Sequence, residues 1–148
     1  MSLPDADRGA ARLLDRCTFA TDGDPIADLV VADLGGIAVH VEDRQRPLYH
    51  ATACVASNHL VALCGQVERL ASSLGVPIEA YWKLMTTTLT NVGEDGAARA
   101  LTGPAARGDW ETIEGHLANL PERERHAYCA LGEQAAILAG RDWPEGLR

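Results

Sequence analysis

The stretch that decides the fold is PLYHATACVASNHLVALCGQVERLASSL, residues 47–74, which has no proline after its first position and a single glycine, Gly65. Such a run reads as one helix, and at about 1.5 Å of rise per residue it is on the order of 40 Å long, more than a small domain is wide. It is therefore expected to be a spine around which other helices pack. Small and apolar residues, among them Ala51, Ala53, Val55, Leu60, Val61 and Leu63, circle its first two thirds, a pattern that predicts burial on every side. Only after Gln66 do Glu68, Arg69, Ser72 and Ser73 give it a wet face. Within the apolar part stand His50, Ser57 and Asn58, which with Cys54 fall inside about a third of the circumference at helical spacing. Polar groups on a buried helix require a partner, a ligand or a water.

Upstream of the spine the pattern is different. Residues 17–21, CTFAT, are short and β-prone, and the turn cluster Asp22-Gly23-Asp24 ends them. Asp24 can cap a helix that opens on Pro25, whose missing N–H is no loss at that position, and Gly35-Gly36 closes the helix. Residues 37–41, IAVHV, then alternate like a strand. Strand, helix, strand is a βαβ unit with parallel strands and a right-handed crossover. Two strands do not make a stable sheet alone, so residues 17–43 read as the remnant of a larger one. Ahead of them, residues 1–16 are polar and alanine-rich, with one short helix expected over residues 6–14.

Downstream no further strand is predicted, and residues 44–140 read as all-helical. A helix from Pro77 to about Val92 spaces Ile78, Tyr81, Trp82, Met85 and Leu89 as core residues, and the Gly93 to Gly96 cluster is expected to break it. One helical turn over residues 97–101 precedes the loop TGPAARGD, residues 102–109, in which two glycines and a proline fix the backbone. Asp109 is placed to cap a helix over residues 110–119. Pro121 starts the last helix, through about Ala139, with Ala127, Cys129 or Ala130, Leu131, Gln134, Ala135 and Leu138 inward, and residues 141–148 read as a tail.

Composition narrows the function. A chain of 148 residues that is 47% hydrophobic supports one core, and a net charge of -8 argues against nucleic acid and anionic membranes. No apolar run approaches a membrane span and no leader pattern is present, so a cytoplasmic protein is expected. The four cysteines, Cys17, Cys54, Cys64 and Cys129, form no CxxC pair and read as reduced thiols. No metal site is expected: His50 and Cys54 lack a third ligand in reach.

Two segments, RPLYHATACVASNHLVAL (residues 46–63) and ALTGPAARGDWETIEGHLANL (residues 100–120), resemble a known family. Its members join a Rossmann-like NADP-binding domain to a helical C-terminal domain of unknown function, and are similar to pyrroline-5-carboxylate and ketopantoate reductases. The resemblance implies a mainly α fold, a helical bundle of the 6-phosphogluconate dehydrogenase C-terminal-like type preceded by the βαβ remnant. In related hydroxyacid dehydrogenases the long helix carries a catalytic lysine and, one turn later, an asparagine. Asn58 stands at the asparagine's place, Cys54 lies one turn before it, and His50, a further turn back, can supply a proton at neutral pH. By this likeness His50 and Asn58 are candidate catalytic residues, and Ser57, Arg107 and Thr102 candidate substrate-binding residues. From the residues alone, His50 reads equally as a satisfied core or interface histidine, and Arg107 as a cap for a neighbouring helix.

No GxGxxG follows a strand anywhere in the sequence, so the chain alone is expected to bind no dinucleotide, NADP belonging to a full-length parent. The resulting expectation is the substrate-binding and dimerisation domain of an NADP-dependent oxidoreductase that reduces a small carbonyl or imine compound. A non-catalytic helical homodimerisation module is the alternative. Either way a homodimer is expected, because about 100 helical residues cannot cover a buried 40 Å helix.

Overall fold

The computed structural model of the protein describes residues 16–147. The short helix expected over residues 6–14 lies outside the described residues. The chain divides into two compact units, Met1–Gly65 and Gln66–Arg148.

The first unit contains the expected βαβ element. Strand β1 (Thr18–Thr21) pairs in parallel with β2 (Ile37–His40), Thr18 opposite Ile37 and Thr21 opposite His40. Between them helix α1 (Pro25–Asp33) starts as its sequence dictates: Asp24 accepts the Ile26 N–H at 2.8 Å, and Pro25 occupies the first turn. Gly35, at φ +72°, follows the end of the helix and donates its N–H to the Ala32 carbonyl at 2.9 Å, a left-handed conformation that a residue with a Cβ resists. Val31, Val41 and Thr21 are buried, and the Thr21 hydroxyl donates to the Asp28 carboxylate at 2.8 Å.

The spine runs from Arg46 to Ser73 as α2 (Arg46–Cys54), one π-helical turn (Val55–His59) and α3 (Leu60–Ser73). A short turn, Asp43–Gln45, leads into it, with Arg46 ion-paired to Asp43 at 2.8 Å. The expectation of burial on all sides is wrong for its first two thirds, where Leu48 is 72% and Val61 68% exposed. The remaining described elements of the first unit, two four-residue strands and a nine-residue helix, offer too little surface to enclose a helix of this length.

In the second unit α4 (Glu79–Asp95) passes through Gly93 and breaks only at Gly96, φ +81°. Ile78, Tyr81 and Met85 are half-buried as expected, whereas Trp82 and Leu89 are exposed rather than core. Two single turns, α5 (Ala97–Ala100) and α6 (Pro104–Arg107), lead to α7 (Trp110–Asn119), capped by Asp109 as its sequence predicts. Helix α8 (Glu122–Leu138) follows, then a closing turn, Glu145–Leu147.

The face that α8 turns inward differs from the expected one. Glu124 and Ala136 are buried, Tyr128 and Gly132 half-buried, a run at spacing four. Of the residues expected inward, Ala127, Ala130, Leu131, Gln134 and Leu138 are exposed. Gly132 explains the closing segment, expected as a tail. A Cβ at Gly132 would lie 2.5 Å from the Trp143 ring, so the missing side chain is the notch in which the indole sits. Trp143 is 6% exposed, packs edge-to-face on Trp110 at 5.8 Å between ring centroids, and joins Ala105, Ile113, Ala136 and Leu147 in one core.

Gln66, the residue before the wet face begins, is buried and donates its side-chain amide to the Glu124 carbonyl at 3.1 Å. One turn on, Arg69 grips the Glu124 carboxylate with two bonds, 2.7 Å from Nε and 3.0 Å from Nη2. Glu124 is 3% exposed, and the Arg69 hydrogen bond holds its carboxyl below the ordinary range.

Two predictions follow from these contacts. Trp143→Ala should cost about 3–5 kcal/mol and Gly132→Val about 1–3 kcal/mol in urea unfolding, and the double variant less than their sum, because the valine can enter the space that the indole vacates. For Glu124 the folded pKa is below the unfolded one, so its contribution is complete above the ordinary carboxyl range near pH 4.3 and is lost as pH falls through the depressed folded value. Melting curves from pH 7 to 3 should therefore fall more steeply for the parent chain than for Glu124→Gln, which starts lower and has no carboxylate to protonate.

Candidate functional site

Of the candidate residues of the spine, Ser57 and Asn58 lie where its geometry is irregular and His50 lies in the regular helix before it. His50 and Cys54, four residues apart on α2, face each other with Nε2 and Sγ 3.6 Å apart. The next residue begins the π-helical turn, which contains both Ser57 and Asn58. A π turn adds a residue to one helical turn, so the faces of α3 are out of phase with those of α2. His50, Ser57 and Asn58 are all exposed, and Cys54 is half-buried. The polar stripe is therefore open to solvent. The structure brings His50 and Cys54 together and sets Ser57 and Asn58 side by side in the next turn.

Arg107 and Thr102 belong to the loop of residues 102–109. Thr102 is exposed. Arg107 closes the single turn α6, with its side chain 65% exposed and Nη2 3.7 Å from the Asp109 carboxylate. Asp109 is engaged by Thr112 through a hydroxyl donor at 2.8 Å and a backbone N–H at 3.2 Å. Those bonds, with a smaller contribution from Arg107, hold its carboxyl below the ordinary value. The Arg107 guanidinium is left mostly in water, with donors to spare for an anion. Arg141 packs on this loop, donating Nε–H to the Ala106 carbonyl at 2.8 Å.

The sequence did not suggest a second polar pair. His116 near the end of α7 and Tyr128 on α8 meet at 2.7 Å between Nδ1 and the phenol oxygen, with their rings perpendicular. Burial pushes the Tyr128 phenol above its ordinary value, so it is a neutral hydroxyl at physiological pH. One signal was available. The two residues lie six positions either side of residue 122, and in a helical hairpin with a tight Leu120-Pro121 turn such positions face each other.

Among the described residues no three His, Cys, Asp or Glu side chains group as metal ligands, and no helix is long and apolar enough to cross a membrane. A dinucleotide does not fit the βαβ unit. The turn between β1 and α1 carries Asp22 and Asp24 where a pyrophosphate would lie, and the Asp24 carboxylate already takes a backbone N–H at the start of α1.

A mainly α chain with a two-stranded parallel βαβ element is the class that this architecture defines. The chain belongs to the family described as domain of unknown function DUF2520, whose model matches residues 18–135. Its fold is shared with the crystal structure of protein TM1727 from Thermotoga maritima, at a TM-score of 0.73 and 24% identity, over 89% of this chain and 57% of that one. It is also shared with BF3122 from Bacteroides fragilis, provisionally described as an NADP oxidoreductase, at a TM-score of 0.54 and 22% identity, over 75% of this chain and 41% of that one. The chain thus spans little more than half the length of TM1727. No curated protein matches it significantly.

Proposed function

We propose that the chain is the substrate-binding and dimerisation domain of an NADP-dependent oxidoreductase, of the 6-phosphogluconate dehydrogenase C-terminal-like type, that reduces a small carbonyl or imine compound in the cytoplasm. The observation that carries this reading is the π-helical turn Val55–His59, which contains Ser57 and Asn58 and follows directly on the helix that carries His50. Such turns shift the backbone bonding from the i→i+4 to the i→i+5 pattern and are frequent at functional sites. In this reading His50 is the proton donor to the substrate oxygen or nitrogen and Asn58 orients that group by hydrogen bonding. Ser57, Thr102 and Arg107 bind the substrate, Arg107 with its exposed fork. NADP belongs to the parent protein and is held outside this chain, since the β1–α1 turn offers carboxylates where phosphate would sit.

A specific observation favours the second reading, a non-catalytic helical homodimerisation module. Leu48, Val55 and Val61 are each more than half exposed along the spine. A partner copy would remove them from water, and both readings include that dimer.

Kinetics of the full-length parent separate the two readings. His50→Gln is expected to lower turnover by about 10²- to 10⁴-fold, with the melting temperature nearly unchanged, because the residue is exposed. Asn58→Ala, equally exposed, should likewise lower turnover with little change in melting temperature. Unchanged turnover in His50→Gln leaves the dimerisation module as the function. For the chain itself, light scattering at micromolar concentration should give twice its 15.8 kDa, and NADPH titrated calorimetrically should show no saturable binding in the micromolar range.

A further inference from the structure

We propose that the cleft formed by the end of α3, Tyr81 of α4 and the α7–α8 turn binds a small neutral molecule with an apolar body and one carbonyl or amide oxygen. The cleft has a volume of about 440 Å³, within the range that holds small organic ligands. It lies wholly within the second unit. Val67, Leu70, Leu74 and Leu120 make its walls apolar, and the His116–Tyr128 pair supplies its polar edge. Leu74 is 71% exposed at the rim, apolar surface that a ligand would cover.

The chemistry of the ligand follows from which polar atoms are uncommitted. The Ser73 hydroxyl donates to the Leu70 carbonyl at 2.7 Å and one N–H of the Asn119 amide to the Gly115 carbonyl at 2.8 Å, while the other Asn119 N–H and the Tyr81 hydroxyl have no partner among the described residues and add donors to the cleft. The His116–Tyr128 bond contains one proton. If the phenol donates to Nδ1, neutral His116 carries its own proton on Nε2. If Nδ1 donates to the phenol oxygen, the phenol proton is left over. Either arrangement leaves one N–H or O–H donor without a partner inside the pair, and a donor in an apolar cleft selects an acceptor. No Lys, Arg, Asp or Glu lines the cleft, and the nearby Arg69 and Glu124 are paired with each other. A carboxylate or ammonium ligand would thus lose its hydration without gaining a counter-charge.

Acetanilide, a phenyl ring with one amide carbonyl, is the probe, added to the intact chain and followed by calorimetry and by Tyr and His side-chain NMR signals. One-to-one binding with half-saturation at about 1 mM or below is expected, which is within reach of a ligand of roughly ten heavy atoms. Phenylacetate, similar in size but anionic, should bind at least about 10-fold more weakly, the effect of an uncompensated charge. Tyr128→Phe and His116→Phe, each checked for an unchanged circular dichroism spectrum, should weaken acetanilide binding by about 5-fold or more. No saturable binding, equal binding of phenylacetate, or undiminished binding in both folded variants would overturn the proposal. So would acetanilide binding that disappears as the chain self-associates, since the cleft would then receive a second copy of the chain.

Discussion

The second unit depends on one carboxylate. Glu124 is almost fully removed from water at the first turn of α8, and a charge so placed persists only with an opposite charge in direct contact. Arg69 supplies it through two bonds, and Gln66, one turn earlier on α3, takes the backbone carbonyl of the same residue. The end of α3 and the start of α8 are therefore fixed both in distance and in rotation about their axes, because a planar fork meets a planar carboxylate in few orientations. The position also suits an acid electrostatically, near the positive end of a helix. The apolar cleft beside this contact has its shape for the same reason: Leu70 and Ala71 project from the helical turn that Arg69 anchors.

What was legible in the sequence was local. Asp24 before Pro25, Gly35 after the first helix and Asp109 before Trp110 act on backbone groups within a few residues, and each does in the structure what its type requires. The βαβ order and its parallel pairing follow in the same way from short alternating segments joined by a helix. The inward face of α8 was not legible, because its members, Glu124, Tyr128, Gly132 and Ala136, owe burial to partners far along the chain. A glutamate reads as wet until its arginine is found, and a glycine reads as a weak point in a helix until the indole that fills its place is found.

For the candidate residues of the spine the sequence carries side-chain spacing but not backbone conformation. Helical spacing brought His50 to Cys54, while nothing in VASNH announces a π turn, since alanine, valine and serine sit equally in either kind of helix. Apolar composition also misled. It counts which residues prefer to leave water without saying whether the same chain can cover them, and along α2 it does not. The His116–Tyr128 pair joins residues twelve apart on two successive helices, a separation that the spacing within either helix does not mark.

The two tryptophans that close the second unit carry an optical consequence. Trp110 and Trp143 stand 5.8 Å apart and 76° from parallel, one at the start of α7 and the other in the closing segment. Indoles this close and this steeply inclined couple their electronic transitions and give a paired band of opposite signs in the far ultraviolet, superposed on the helix signal. Trp82, on an exposed face of α4, does not share in it. The seating of the closing segment thus has its own spectroscopic signature, readable without a label as the difference between the parent chain and Trp143→Phe.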